Sequence, residues 1–130
     1  MRRALVWISL VLSVVVLVGI GLQLYFIAVW IFGASDALDA HKTVGGVVFH
    51  PAEVLVFLVA LGAWWRNWRN IAWSFALAFV GTIQVFTVGD LGKPGDAWVH
   101  GLHGGIVLFV VGFAAYIALR EAQALGLLRP

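Results

Sequence analysis

The stretch ALVWISLVLSVVVLVGIGLQLYFIAVWIF, from Ala4 to Phe32, decides the fold because it contains no charged residue. A helix that crosses a bilayer needs about 20 predominantly apolar residues. The stretch follows Arg2 and Arg3, as a signal peptide would, but it is longer than the roughly 7–15 apolar residues of such a peptide. It therefore predicts an uncleaved first transmembrane helix. The alternative, cleavage after Ala40, would leave three spans.

The composition of the rest of the chain predicts the same class of protein. The 130 residues are 63% hydrophobic and 11% charged, which leaves too little polar surface for a soluble domain. Four spans, at about residues 4–32, 37–65, 71–89 and 97–119, nearly fill the chain, so we expect one membrane domain over residues 1–130. The net charge of +2, without a basic patch, argues against a nucleic-acid partner.

The distribution of basic residues predicts the orientation of these spans. The arginines all fall on one side of the predicted bilayer, whereas both lysines fall on the other. The positive-inside rule then places both termini and the middle loop in the cytoplasm, in a multi-pass protein of the plasma membrane. Short connections favour an all-α, up-down-up-down transmembrane four-helix bundle, with spans two and four on a diagonal.

Four histidines lie in spans two and four, toward the predicted outer face: His41, His50, His100 and His103. Ionisable side chains inside a membrane are costly and usually face a partner or a ligand, and neutral imidazole is a frequent ligand of metals and haem iron. At about 100° per residue, His41 and His50 point to opposite faces of span two. His100 and His103 share a face of span four. We expect one ligand from each span, with the choice within each span open.

Glycines flank both pairs of histidines, where a flat cofactor would need small residues. They also suit close helix packing, and the segment Gly101-x-x-x-Gly105 has the small-xxx-small pattern of that alternative. Pro51 follows His50 and predicts a kink, since it frees the carbonyl of Val47. The glycines expected to contact a cofactor are Gly45, Gly46, Gly104 and Gly105.

Three further polar residues are predicted inside the bilayer. Glu53 is the costliest of them, and it suits a proton path or a pairing with His50. Gln23 and Gln84 suit hydrogen bonds to a ligating imidazole or across helices. In a different arrangement, His50, Glu53 and the two span-four histidines would together bind one metal ion.

The segments His41-Lys-Thr-Val-Gly45 and Leu102-His103-Gly104-Gly105 resemble small bacterial four-helix membrane families with histidines in alternate spans. The layout also resembles membrane b-type cytochromes. This resemblance implies one non-covalent haem b, bound by two histidines near the outer face. The chain departs from two-haem transmembrane cytochromes because it has no histidine near the cytoplasmic end. A c-type haem is excluded because the chain has no cysteine.

Three functions follow as expectations. The first is electron transfer or redox sensing by a bis-histidine haem b, with a quinone or a redox protein as partner. The second is an accessory subunit of a larger membrane complex or a homo-oligomer, and the third is proton or metal handling. No hydrolase or phosphate-binding motif occurs, so we expect a carrier or a subunit rather than a stand-alone enzyme, with no catalytic residues.

Overall fold

The apolar stretches form helices whose ends lie close to the predicted ones. The computed structural model describes residues 1–89 and 97–129, and no side chain between 87 and 96. The helices are α1 (Arg2–Ile31), α2 (Ala37–Val44), α3 (His50–Ala63), α4 (Trp68–Gly89) and α5 (Ala97–Leu125). A π-helical segment, Gly45–Phe49, joins α2 to α3. The described residues contain no strand, which confirms the all-α prediction. The predicted turn at residues 90–96 lies outside them.

The helices form four rods: α1, the continuous rod made of α2, the π-helical segment and α3, then α4 and α5. Consecutive rods run in opposite directions around a ring. Arg2 Nε at the start of α1 donates to Ala63 O at the end of α3, 3.0 Å away. The rings of Phe57 and Phe75 pack 5.4 Å apart between α3 and α4. Helix α5 closes the ring by packing against both α4 and α1. The rod made of α2, the π-helical segment and α3 therefore lies diagonally opposite α5.

Three of these rods are long and apolar enough to cross a membrane: Arg2–Ile31, Ala37–Ala63 and Ala97–Leu125. Many of their large apolar side chains point away from the bundle, and Val18, Leu24 and Leu108 are each more than half exposed. A bundle with this surface is suited to hydrocarbon rather than to water.

The second rod widens immediately before Pro51. Proline has no N–H to donate to Val47, so the regular α-helical ladder cannot continue through it. The backbone adopts π-helical hydrogen bonds instead, and His50 N–H donates to Gly45 O, five residues earlier. A π-helical turn contains more residues than an α-helical turn, so it changes the angle around the rod axis between His41 and His50. The value of 100° per residue, which placed the two histidines on opposite faces, therefore does not apply across this segment.

The interior consists of two apolar clusters. The larger one lies in the middle of the bundle and includes Val16, Val56, Leu77, Val110 and Ala114, each at most 1% exposed. The smaller one lies at the end that holds Arg2 and includes Val6, Trp64 and Leu125. Helix α5 reaches this cluster because it continues to Leu125, beyond the predicted end at residue 119.

Gly19 lets α1 and the second rod approach closely. The ring of Phe49 occupies the position that a Cβ atom at Gly19 would take, whereas a Cβ atom at Gly21 would meet nothing within 4 Å. Phe49 is 8% exposed and cannot easily move aside. The absence of a side chain at Gly19 therefore lets the two rods pack together.

We predict that Gly19→Ala lowers the free energy of unfolding by about 1–3 kcal/mol, since it overpacks the Phe49 site. Gly21→Ala, two residues along the same helix and on the opposite side of it, should leave stability unchanged or slightly higher, because alanine favours the helix. Reversible unfolding in mixed detergent micelles, followed by circular dichroism, measures both. Equal stability of the two variants would contradict the packing described.

Candidate functional site

The structure brings together one histidine from each of the two diagonal rods. The ring centroids of His41 and His103 are 6.2 Å apart, with 71° between the ring planes. Both side chains are half-buried. Of the four predicted ligands, these two face each other across the bundle.

Main-chain carbonyl groups of the other two rods orient these rings. His41 Nδ1 lies 3.3 Å from Gln23 O on α1, and His103 Nδ1 lies 3.0 Å from Gln84 O on α4. A carbonyl oxygen only accepts, so each ring donates through Nδ1, and a neutral ring in this arrangement has its lone pair on Nε2. The prediction for Gln23 and Gln84 concerned their side chains, whereas the contacts to the two rings involve their main-chain oxygen atoms.

The separation of the rings suits a shared metal ion. A metal–imidazole nitrogen bond is about 2 Å long. Each ring adds roughly another ångström between its nitrogen and its centroid, so two imidazoles that bind one ion in line have centroids about 6 Å apart. An Nδ1–H donated to a backbone carbonyl is the usual support of a ligating histidine. His41 and His103 thus have a ring spacing and a hydrogen-bond pattern that two ligands of one metal ion would need.

The side-chain amide of Gln23 is an unsatisfied polar group beside this pair. Both Nε2 and Oε1 are buried and have no hydrogen-bond partner among the described residues. A Cβ atom at Gly45 would lie 3.2 Å from that Nε2, so Gly45 gives the amide room. Buried amides are normally hydrogen-bonded. Gln23 therefore presents a donor and an acceptor to a ligand with polar atoms.

The other three candidate glycines do not pack against a neighbouring helix within the described chain. A Cβ atom at Gly46, Gly104 or Gly105 would meet nothing within 4 Å, and the same holds for Gly101. Among the residues that the structure describes, these glycines therefore make no close packing contact with another helix. They leave the surface beside His103 and the π-helical segment open.

His50 has a different partner from His41. Its Nδ1 lies 3.2 Å from Glu53 Oε2, one turn along α3. Glu53 is 6% exposed, and its carboxyl group fills the space beside Gly81 on α4. The predicted pairing of His50 with Glu53 is thus present in the structure, and it accounts for a costly carboxyl group inside the bundle.

The metal site proposed from His50, Glu53, His100 and His103 is not assembled. Over residues 1–89 and 97–129, no three histidine or acidic side chains are grouped so that they could bind an ion. His100 is exposed, and it is not the ring that faces His41.

One buried ionisable residue was missed by the sequence reasoning. Glu121 is fully buried, and its Oε2 accepts a hydrogen bond from Ser13 Oγ at 3.2 Å. It escaped notice because span four was predicted to end at residue 119. The available signal was helical spacing, since Glu121 continues the buried face that contains Ala114 and Ile117.

Comparisons of the chain with models of protein families, with curated proteins and with solved structures find no match.

The geometry predicts the same tautomer for His41 and His103, with the proton on Nδ1 and none on Nε2 when the ring is neutral. Nitrogen-15 NMR of histidine-labelled protein without added cofactor measures this directly, and His41→Ala and His103→Ala assign the signals. Nε2-protonated rings at either position would show that the hydrogen bonds to Gln23 and Gln84 are not made.

Proposed function

We propose that this chain is a four-span protein of the plasma membrane that binds one non-covalent haem b between His41 and His103 and transfers single electrons at its outer side. Three rods are long and apolar enough to cross a membrane, and in this proposal helix α4 is the fourth span. Cytoplasmic termini follow from the arginines, which cluster at the end of the bundle that holds Arg2 and Ala63.

The observation that carries the haem assignment is the facing pair of imidazoles. Their centroid separation of 6.2 Å would suit two histidines that hold one iron, and both rings use Nδ1 for their hydrogen bonds and leave Nε2 for coordination. The unsatisfied Gln23 amide fits a cofactor with a polar edge, and the open glycines fit one with a flat apolar face. The residues present therefore fit haem b.

The protein's own groups explain how such a site would work. Bound haem supplies an iron that gains and loses one electron. The carbonyl groups of Gln23 and Gln84 fix both rings and would make their Nε2 atoms better donors to a bound metal. His41 and His103 would hold the haem iron from two helices, and an iron held by two histidines would favour electron transfer over binding of a small gaseous ligand. The apolar cluster beneath excludes water, so exchange with a quinol or an external redox protein takes place at the outer end.

The reduced-minus-oxidised visible spectrum of the purified protein tests this proposal. We expect the bands of a six-coordinate b-type haem at about one haem per chain. His41→Ala and His103→Ala should each abolish them or convert them to a weakly bound form.

His50→Ala and His100→Ala are the matched controls and should retain the spectrum of the original protein. Absence of haem from protein made in haem-replete cells would refute the assignment, and so would loss of the bands in the His50 variant but not in the His41 variant.

The open glycine surface favours a second function, that of a subunit in a larger assembly. Gly101 and Gly105 leave a small-residue face on α5 that no residue of the described chain covers. The native mass of the protein extracted in mild detergent distinguishes the two. A stoichiometric partner without any haem would favour a structural subunit over an electron carrier.

A further inference from the structure

Glu121 forms a second polar site, at the opposite end of the bundle from His41 and His103. Its side chain is fully buried, and so are those of Ser9 and Ser13 on the facing helix α1. Ser13 Oγ donates to Glu121 Oε2 at 3.2 Å, and Ser9 faces the same carboxyl group one turn away. Two hydroxyl groups and one carboxyl group therefore meet where no water-exposed surface remains.

No positive charge within the described chain balances this carboxyl group. None of the ion pairs found there involves Glu121. Two of the arginines at this end have other partners, since Arg2 donates to Ala63 O and Arg120 donates to Gln123 Oε1. Helix α5 packs against α1 and α4, and the buried polar side chains that α4 carries at this end, Asn70 and Ser74, are neutral. An isolated carboxylate there would be strongly unfavourable.

The unsatisfied atoms show what would balance it. Glu121 Oε1 and Ser9 Oγ are both buried and lack a hydrogen-bond partner among residues 1–89 and 97–129. A proton on Oε1 removes the charge and turns that oxygen into a donor, for which the Ser9 hydroxyl is the available acceptor. A hard metal ion such as Ca²⁺ needs about six or more oxygen ligands. The carboxyl and hydroxyl groups supply four oxygen atoms, which is too few for such an ion but enough for a proton.

A cavity lies at the same end of the bundle as this site. It has a volume of about 570 Å³ and is lined by Arg2, Arg3, Val6 and Leu125, among others. Val6 precedes Ser9 by about one turn of α1, and Leu125 follows Glu121 by about one turn of α5. Two residues of the cavity lining are therefore about one helical turn away from residues of the polar site, although the buried site itself does not line the cavity.

Apolar side chains separate Glu121 from the histidine pair. The central apolar cluster lies between them, and Val16, Val110 and Ala114 in that cluster are at most 1% exposed. A proton that left Glu121 toward the histidines would have to pass these tightly packed side chains, whereas the cavity beside Arg2 lies about one helical turn away.

We propose that Glu121, with Ser9 and Ser13, is a buried proton-binding site that exchanges its proton with the cytoplasmic side through the cavity beside Arg2. This site stands independently of haem binding, because none of its residues contacts the histidine pair. It gives the protein a way to take up and release one proton at the face opposite its proposed redox centre.

Infrared spectroscopy of the protein in liposomes tests the proposal at neutral pH. The expected result is a protonated-carboxyl C=O band that shifts in deuterated buffer and is lost in Glu121→Gln. The amide of this variant can still accept from Ser13 and donate to Ser9, so the fold should be kept. Glu53→Gln, which removes the other buried carboxyl group, is the matched control and should retain the Glu121 band.

Two further measurements keep the test decisive if Glu121→Gln does not fold. Ser13→Ala should shift the frequency of the band, because it removes the hydrogen bond to Oε2. Val6→Phe adds bulk to the lining of the cavity and should slow the exchange of the Glu121 proton with deuterium. The proposal is overturned if the band is unaffected by both changes, if Glu121→Gln and the original protein give the same spectrum, or if Na⁺ abolishes the band at constant pH.

Discussion

Polar groups that lie inside an apolar bundle must find their partners within it, because hydrocarbon offers none. Each unsatisfied group there costs free energy on the scale of kilocalories per mole. This constraint accounts for the arrangement of the interior. His41 and His103 donate to main-chain carbonyl groups of the two other rods, His50 contacts Glu53, and Ser13 donates to Glu121. The atoms that remain without partners, on Gln23 and Glu121, mark the places where something else is expected to bind.

These contacts divide the bundle into three levels. The histidine pair lies toward one end, Glu121 lies toward the other, and the large apolar cluster separates them. Glu53 lies beside the cluster member Ala52, and its carboxyl group packs against Gly81. A charge or a proton at one end is therefore insulated from the other by tightly packed side chains. That separation suits a protein with one redox site on the outer side and one proton site on the inner side.

The sequence was sufficient to predict the helical bundle and to single out the two rods that carry the histidines. Runs without charge determine where helices lie, and short connections make neighbours antiparallel. It could not determine which histidines face each other, since Pro51 turns part of the second rod into π-helix and changes the spacing used to compare His41 with His50. The sequence also could not predict the hydrogen-bond partners of His41 and His103. Gln23 and Gln84 contact the two rings through main-chain oxygen atoms, which every residue has. Glu121 was missed because it lies just beyond the predicted end of span four, where a charged residue is expected to face solvent. Only the packing of α5 against α1 shows that it is buried.

The central claim is that His41 and His103 are the two axial ligands of one iron, and electron paramagnetic resonance of the oxidised protein tests it most directly. The account predicts a single low-spin ferric species whose strong anisotropy reflects imidazole planes far from parallel, as the angle of 71° between the rings requires. Replacing either histidine should convert it to a high-spin signal or remove it. A high-spin, five-coordinate signal in the unaltered protein, or a low-spin signal that survives the loss of His41 or His103, would contradict the account.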